Sequence, residues 1–253
     1  MSFNVAAESY DRFMGIWAQQ LARPFADFAG VASGMRVLDV GCGPGALTTE
    51  LVARTGADHV AAVDPSPTFV AAARERLPGV DVRQAPAEEL PFSAETFDAA
   101  VAQLVVHFMA HPVTGLREMA RVTLPGGPVA ACVWDFGGQR GPLGPFWEAA
   151  HAVEHAVVDE SHLAGARRGH LSELLRAAGL RAVVEEELAV SRGYDSFEAW
   201  WEPFTRGVGP GGAYVASLAP EQVEVFRERC RAELPAGSFS LDAVAWAARG
   251  VRS

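Results

Sequence analysis

A chain of 253 residues with 49% hydrophobic side chains can bury one large core, which predicts a single domain over residues 1–253 with appended helices. Its net charge is −10, from 31 acids against 21 bases that are all arginine; with no clustered positive charge, nucleic acid is excluded as substrate and a basic membrane-binding face is disfavoured. The start of the chain carries Glu8 and Asp11 and no apolar segment, so the expected location is the cytoplasm.

Residues 1–34 are expected to form a helical N-terminal cap in which Tyr10, Phe13 and Trp17 close over a ligand. From residue 35 onward strand and helix signals alternate, as a parallel sheet built from βαβ units requires. Strand 35–40 leads to helix 46–54, and strand 59–63 ends at Asp64. Ser66 then caps a helix with Pro67 at its first position, stopped by Pro78-Gly79. A short strand, 80–83, and a loop, 85–96, precede strand 97–104, whose apolar run suits a central position covered on both faces. That run is broken by Asp98, Gln103 and His107 and is too short to span a bilayer. Helix 112–122 and strand 128–134 follow, then a glycine-rich stretch, 137–144, expected to be mobile. Helix 171–178, strand 181–190, helices around 197–204 and 220–234, and a closing strand near 239–247 complete the chain. The glycines of 207–212 read as a hinge or a surface loop. Cys42, Cys132 and Cys230 lack the spacing of a metal site and read as reduced structural thiols.

The run Arg36-Val37-Leu38-Asp39-Val40-Gly41-Cys42-Gly43-Pro44-Gly45-Ala46 hands a parallel strand to a helix N-terminus through three glycines, the device that presents a small ligand to a helix. Gly41, Gly43 and Ala46 also satisfy the dinucleotide fingerprint, so the turn alone leaves two cofactors open. Asp39, two residues before Gly41, would repel a pyrophosphate and suits a ligand bearing an ammonium group. Asp64 ends the second strand, where a carboxylate accepts both hydroxyls of a ribose. A ribose without phosphate fits S-adenosylmethionine.

With these residues the chain resembles the class I S-adenosylmethionine-dependent methyltransferases, in the small-molecule and quinone-type branch. The motifs are Val37-Leu38-Asp39-Val40-Gly41-Cys42-Gly43-Pro44-Gly45, Val63-Asp64-Pro65-Ser66, Ala87-Glu88-Glu89-Leu90-Pro91-Phe92 followed by Phe97-Asp98, and Arg121-Val122-Thr123-Leu124-Pro125-Gly126-Gly127. Tyr10-Asp11-Arg12-Phe13-Met14-Gly15 and Ala213-Tyr214-Val215-Ala216-Ser217-Leu218 look like a subgroup of the same family. The resemblance implies an α/β fold: a doubly wound, mostly parallel seven-stranded Rossmann-like sheet with the N-terminal cap and a helical lid after the fifth strand. Residues 35–136 would be the cofactor-binding core, with 137–170 and 195–236 on the acceptor side.

The same resemblance implies roles. Gly41, Cys42 and Gly43 would lie against the methionine part, Asp39 would organise that loop or the ammonium, and Asp64 would hold the ribose. Pro65 and Ser66 would flank the adenine, and Gln103 and Tyr10 complete the cofactor set. Family members often read Gly-Asp-Ala where this chain has Ala85-Pro86-Ala87, so the adenine amino group loses an acidic acceptor; the Ala87 amide and Glu88 are the residues placed to replace it. Losing one such hydrogen bond costs about 0.5–1.5 kcal/mol, which cofactor binding survives.

Methyl transfer from a sulfonium is a direct displacement, so the protein supplies alignment and, for some acceptors, a base. His107, just past the fourth strand, is the candidate catalytic residue. Trp134, Trp147, Trp200, Trp201 and Tyr214 are candidates for lining the acceptor cleft, which suits a flat or apolar molecule. The reading is a methyltransferase acting on a small acceptor, without metal, nucleic acid or membrane; its oligomeric state is open. Two alternatives remain at this point: a non-catalytic S-adenosylmethionine-binding sensor or partner protein, and an NAD(P)-dependent oxidoreductase.

Overall fold

In the computed structural model, which describes residues 14–153, 159–207 and 209–253, seven strands form one sheet. Strands β1 (Val37–Val40), β2 (Val60–Asp64) and β4 (Ala99–Gln103) are buried at every residue. Their Val and Ala runs are what parallel strands covered on both faces require. The covering helices are α1 (Ile16–Ala29), α2 (Ala46–Thr55), α3 (Pro67–Arg76) and α4 (Pro112–Val122).

With β3 (Asp81–Gln84), β5 (Pro128–Trp134), β6 (Arg181–Tyr194) and β7 (Phe239–Val251), the spatial order is β3-β2-β1-β4-β5-β7-β6. All pairs up to β5 are parallel, and β7 runs antiparallel to both β5 and β6. The strand order reverses between β1 and β4, which pair side by side. That switch point opens a crevice at the strands' C-terminal ends, where open α/β sheets bind ligands. Register brings Val40 level with Val63, Asp39 with Val101, and Gln103 with Cys132, so Asp39, Asp64 and Gln103 share that edge.

The expected sheet and helix order is present, with corrections at several places. β4 begins at Ala99 because the Asp98 carboxylate accepts the Arg36 amide and Phe97 only bridges to Thr123. It ends at Gln103 because Leu104 turns into the left-handed region, φ +60°. β6 runs longer than expected because it pairs with β7 out to Tyr194, opposite Phe239, where the polar Ser191-Arg192-Gly193 stretch hides the pairing in the sequence; β7 continues past residue 247 to Val251 because that end pairs with β5 down to Pro128. The stretch 137–144 is pinned where mobility was expected: the Gly137 amide donates to Ala166 O, and Asp135 accepts both the Gly138 amide and Arg140 Nε.

Two helices were not foreseen. α5 (Gly144–Val153) begins inside the glycine-rich stretch. α8 (Gly209–Ser217) stands where a hinge or surface loop was expected: a Cβ on Gly211 would press on Phe204, and one on Gly212 on the Gly207 backbone, so these glycines serve close packing. Whereas α6 (His170–Ala177) packs on β6 and β7, α5 and α8 stand with α7 (Phe197–Thr205) and α9 (Pro220–Ala232) after β5, where the lid was expected. Phe146, Phe204, Tyr214 and Phe226 form their ring cluster, with centroids 4.6–5.9 Å from that of Phe146. Among the described residues no helix is long and apolar enough to cross a membrane, and no group of His, Cys, Asp and Glu could hold a metal ion. The three cysteines are buried and free.

Candidate active site

The loop from β1 into α2 is shaped by β2. The Gly41 and Cys42 amides both donate to Val63 O, at 2.8 and 2.9 Å, and the Gly45 amide donates to Cys42 O. The Gly43 amide donates to Asp64 Oδ2 at 2.9 Å. These amides are therefore consumed internally, whereas a pyrophosphate site needs them free and aimed outward. Gly41 and Gly43 hold φ of +74° and +54°. A Cβ on Gly41 would collide with the Val105 side chain, while one on Gly43 would meet open space.

Two carboxylates flank this loop. Asp39 is 1% exposed, and its Oδ2 accepts the Thr48 hydroxyl at 2.6 Å. Burial pushes its carboxyl up to about 7; Thr48 opposes the shift and the Asp64 charge adds to it. Asp64 is raised too, again by burial, against the Ser66 and Gly43 amides that donate to its two oxygens. Each Asp64 oxygen keeps a lone pair for a further donor. Neither carboxylate has a basic partner among the described residues, so the pair suits a ligand that brings an amine and hydroxyls.

The C-terminal end of β4 supplies two more polar groups. Gln103 Nε2 donates to Ala18 O of α1 at 2.9 Å, while its buried Oε1 finds no partner among the described residues. Past the turn at Leu104, His107 lies with its ring 4.0 Å from Phe108 and edge-on to Phe136 at 5.6 Å, and its buried Nδ1 is likewise unpartnered. Burial lowers the His107 pKa to about 4 and keeps the imidazole neutral.

Residues 38–131 match the methyltransferase domain family. The chain is 37% identical over 116 residues to 2-methyl-6-phytyl-1,4-hydroquinone methyltransferase 2, chloroplastic, of Oryza sativa subsp. japonica, a match covering 45% of this chain and 31% of that protein. It is 30% identical over 214 residues to an uncharacterised protein of Mycobacterium bovis, covering 79% of this chain and 77% of the relative. The chain belongs to the class I S-adenosylmethionine-dependent methyltransferase family. The match thus spans under a third of the rice protein's length. In fold it is similar to phosphoethanolamine N-methyltransferase 2 of Haemonchus contortus, solved with phosphomonomethylethanolamine and S-adenosylhomocysteine: TM-score 0.56, 17% identity, 100% of this chain and 60% of that one.

The crevice of this family member fits S-adenosylmethionine on its own chemistry, because amides withheld from phosphate, two buried carboxylates without a base and an unpartnered amide oxygen all favour an amine-bearing nucleoside. At the two residues expected to flank the adenine, Pro65 O accepts Gln84 Nε2, and the Ser66 hydroxyl caps α3 by accepting the Phe69 amide. Ala87 is buried, and the Glu88 carboxylate accepts the His111 amide at 3.0 Å, so Glu88 caps the entry to α4. Tyr10 lies outside the described residues.

Among the aromatic candidates, Trp134 packs edge-on against Trp17 at 6.3 Å and seats α1 on the sheet. Trp200 and Trp201 pack with Phe197 and Phe204 inside the lid, where Trp200 has no exposed surface. Trp147 and Tyr214 face one another at 6.0 Å. Sequence reasoning passed over Thr48 and Phe136, because a threonine inside a helix and a phenylalanine after a strand read as ordinary packing.

Proposed function

We propose that the chain binds S-adenosylmethionine across the ends of β1, β2 and β4 and passes its methyl group to a small, neutral, flat acceptor beside His107, in the cytoplasm. The observation that carries this reading is the pair of buried, base-free carboxylates, Asp39 and Asp64, around a loop whose amides are already spent. Residues 35–136 would then be the cofactor core, with 137–170 and 195–236 on the acceptor side.

In this reading the cofactor supplies a methyl group activated on a sulfonium. Gly41 and Gly43, lacking Cβ atoms, let the backbone approach the methionine part, with Cys42 between them. Asp39 holds negative charge against the amine, with Gln103 Oε1 as a second acceptor. Asp64 takes the ribose hydroxyls on the lone pairs left free by Gly43 and Ser66. Pro65 and Ser66 flank the adenine, and the Ala87 amide reaches a ring nitrogen. His107 stays neutral, so Nδ1, in the tautomer protonated at Nε2, accepts a hydrogen bond from the acceptor's nucleophilic O–H or N–H and orients it. The rice relative's name, a hydroquinone methyltransferase, supports a neutral ring with hydroxyl groups.

Calorimetry with S-adenosylhomocysteine and with NAD, followed by methyl uptake from labelled S-adenosylmethionine onto a metabolite library, tests the reading. Binding of the first ligand alone and transfer to a neutral aromatic are expected. Binding of NAD, or transfer only to polyacids, would contradict it.

A further inference from the structure

Three buried hydrogen-bond donors that the cofactor reading leaves unused stand along the C-terminal edge of the sheet, beside Gln103. Register sets Asp39 level with Val101, Gln103 with Cys132, Trp134 with Ala245, and Ala245 with Leu188; at the two-residue period of a strand, Asp39, Gln103, Trp134 and Tyr194 therefore point to one face. The first turn of α1 lies on that face. Its Ala18 carbonyl accepts Gln103 Nε2 at 2.9 Å, and its Trp17 ring meets the Trp134 ring edge-on at 6.3 Å. Burial raises the Tyr194 phenol pKa while the Arg192 charge and the Trp17 N–H oppose the rise, so Trp17 also faces the Tyr194 oxygen. None of Trp17, Gln103, Trp134 and Tyr194 is more than 8% exposed. Yet Trp17 Nε1, Trp134 Nε1, Tyr194 OH and Gln103 Oε1 complete no hydrogen bond among the described residues. Each such group has lost water and gained nothing in return, which folded proteins avoid. Trp246 Nε1, on the opposite face of β7, and Trp200 Nε1, in the lid, are isolated cases. Around Trp17 the orphaned groups form a set, tied by Gln103 to the strand end at the crevice.

We propose that Trp17, Trp134 and Tyr194 form a second polar subsite for the methyl acceptor, holding by hydrogen bonds an uncharged oxygen other than the group that receives the methyl. This rests on the methyl-transfer reading, in which Gln103 Oε1 meets the cofactor's amine and His107 orients the reacting group. A hydroxyl matches the subsite in full: its two lone pairs accept the indole N–H groups, and its proton goes to the Tyr194 oxygen. The acceptor class that follows is a neutral arene that carries an oxygen function besides its nucleophile.

The test is NMR titration, under nitrogen, of the full chain saturated with S-adenosylhomocysteine. The probes are catechol, resorcinol and hydroquinone, each set against the cresol in which a methyl group of the same size replaces one hydroxyl. The best-bound diol is expected to bind about tenfold or more tighter than its cresol, because a site built to pair a hydroxyl rejects the analogue that lacks it. Tyr194→Phe removes a single oxygen. It should lower that ratio about threefold or more, leave cresol and S-adenosylhomocysteine affinity unchanged, and leave the thermal midpoint level or higher, since the lost hydroxyl closes no bond within the protein. In protein labelled with 15N, the indole N–H signals of Trp17 and Trp134, assigned through Trp17→Phe and Trp134→Phe, should move with the diol and stay in place with the cresol. No diol binding, a diol no tighter than its cresol, a ratio unchanged in Tyr194→Phe, or indole signals that ignore the diol would each overturn the inference; ordered water on these donors would give the last two results. If S-adenosylhomocysteine itself fails to bind, the methyl-transfer reading falls instead.

Discussion

The Thr48 hydroxyl donates to the Asp39 carboxylate at 2.6 Å, and both residues are buried where β1 passes into α2. A hydroxyl from the first turn of α2 thus holds an acid of β1 through the intervening glycines. Replacing Thr48 by Val removes the strongest group opposing desolvation of that acid. The loss of a hydrogen bond to a charged partner should cost about 1.5–3 kcal/mol in chemical denaturation. Unchanged stability would show that Asp39 is satisfied by another route.

The raised pKa of Asp39 has a sign that can be checked. The folded protein binds this proton more tightly than the unfolded chain, so the group's contribution to stability is complete below the ordinary carboxylate range. It declines as pH rises towards about 7. An amine-bearing ligand selects the ionised form. S-adenosylhomocysteine binding near pH 7 should therefore release a proton, seen as a calorimetric heat that varies with the buffer's ionisation enthalpy. Asp39→Asn should abolish the release, weaken binding by about tenfold or more, and raise the unliganded melting temperature at about pH 8. Equal heats in all buffers would count against the assignment.

Gly41 and Gly43 should separate stability from binding. Gly41→Ala forces a methyl group into Val105 at φ +74° and should destabilise the fold by about 1–3 kcal/mol. Gly43→Ala, at φ +54° and facing open space, should cost about 1–2 kcal/mol, the strain of the left-handed conformation without a clash, while sharply weakening S-adenosylhomocysteine if the methyl group meets the ligand on that open side. Parallel denaturation and calorimetry distinguish the two; identical profiles would refute the division.

For His107, the expectation is neutrality. With its pKa lowered to about 4 by burial, it carries no charge at neutral pH, and the pH profile of transfer should show no imidazole inflection near the usual 6.5. His107→Ala should slow transfer by about a hundredfold while cofactor affinity holds. An inflection in that range that vanishes in His107→Ala would mean that the ring is solvated and titrates.

Much of the fold was legible because strand and helix signals alternate and because Pro67, Pro112 and Ser66 mark helix starts that the structure keeps. What escaped did so for physical reasons. α5 and α8 open on glycines that look like breakers until the aromatic rings they pack against are known. Trp200 and Trp201 fall in a region expected to cover the cleft, but their helix turns them into the lid's core. Asp39, Asp64 and Gln103 share the C-terminal edge of the sheet, as their places at strand ends led one to expect. The Thr48 hydroxyl on Asp39 was not legible, since a helical threonine shows its burial only after folding.

The central claim is that the crevice between β1, β2 and β4 holds S-adenosylmethionine through Asp64. Calorimetric titration of the wild type and Asp64→Ala with S-adenosylhomocysteine, each first shown to be folded, tests it most directly. The account predicts saturable binding by the wild type and a loss of about 1.5–3 kcal/mol in the variant, roughly ten- to a hundredfold in Kd. The same Kd in both proteins, or no binding by the folded wild type, would contradict it.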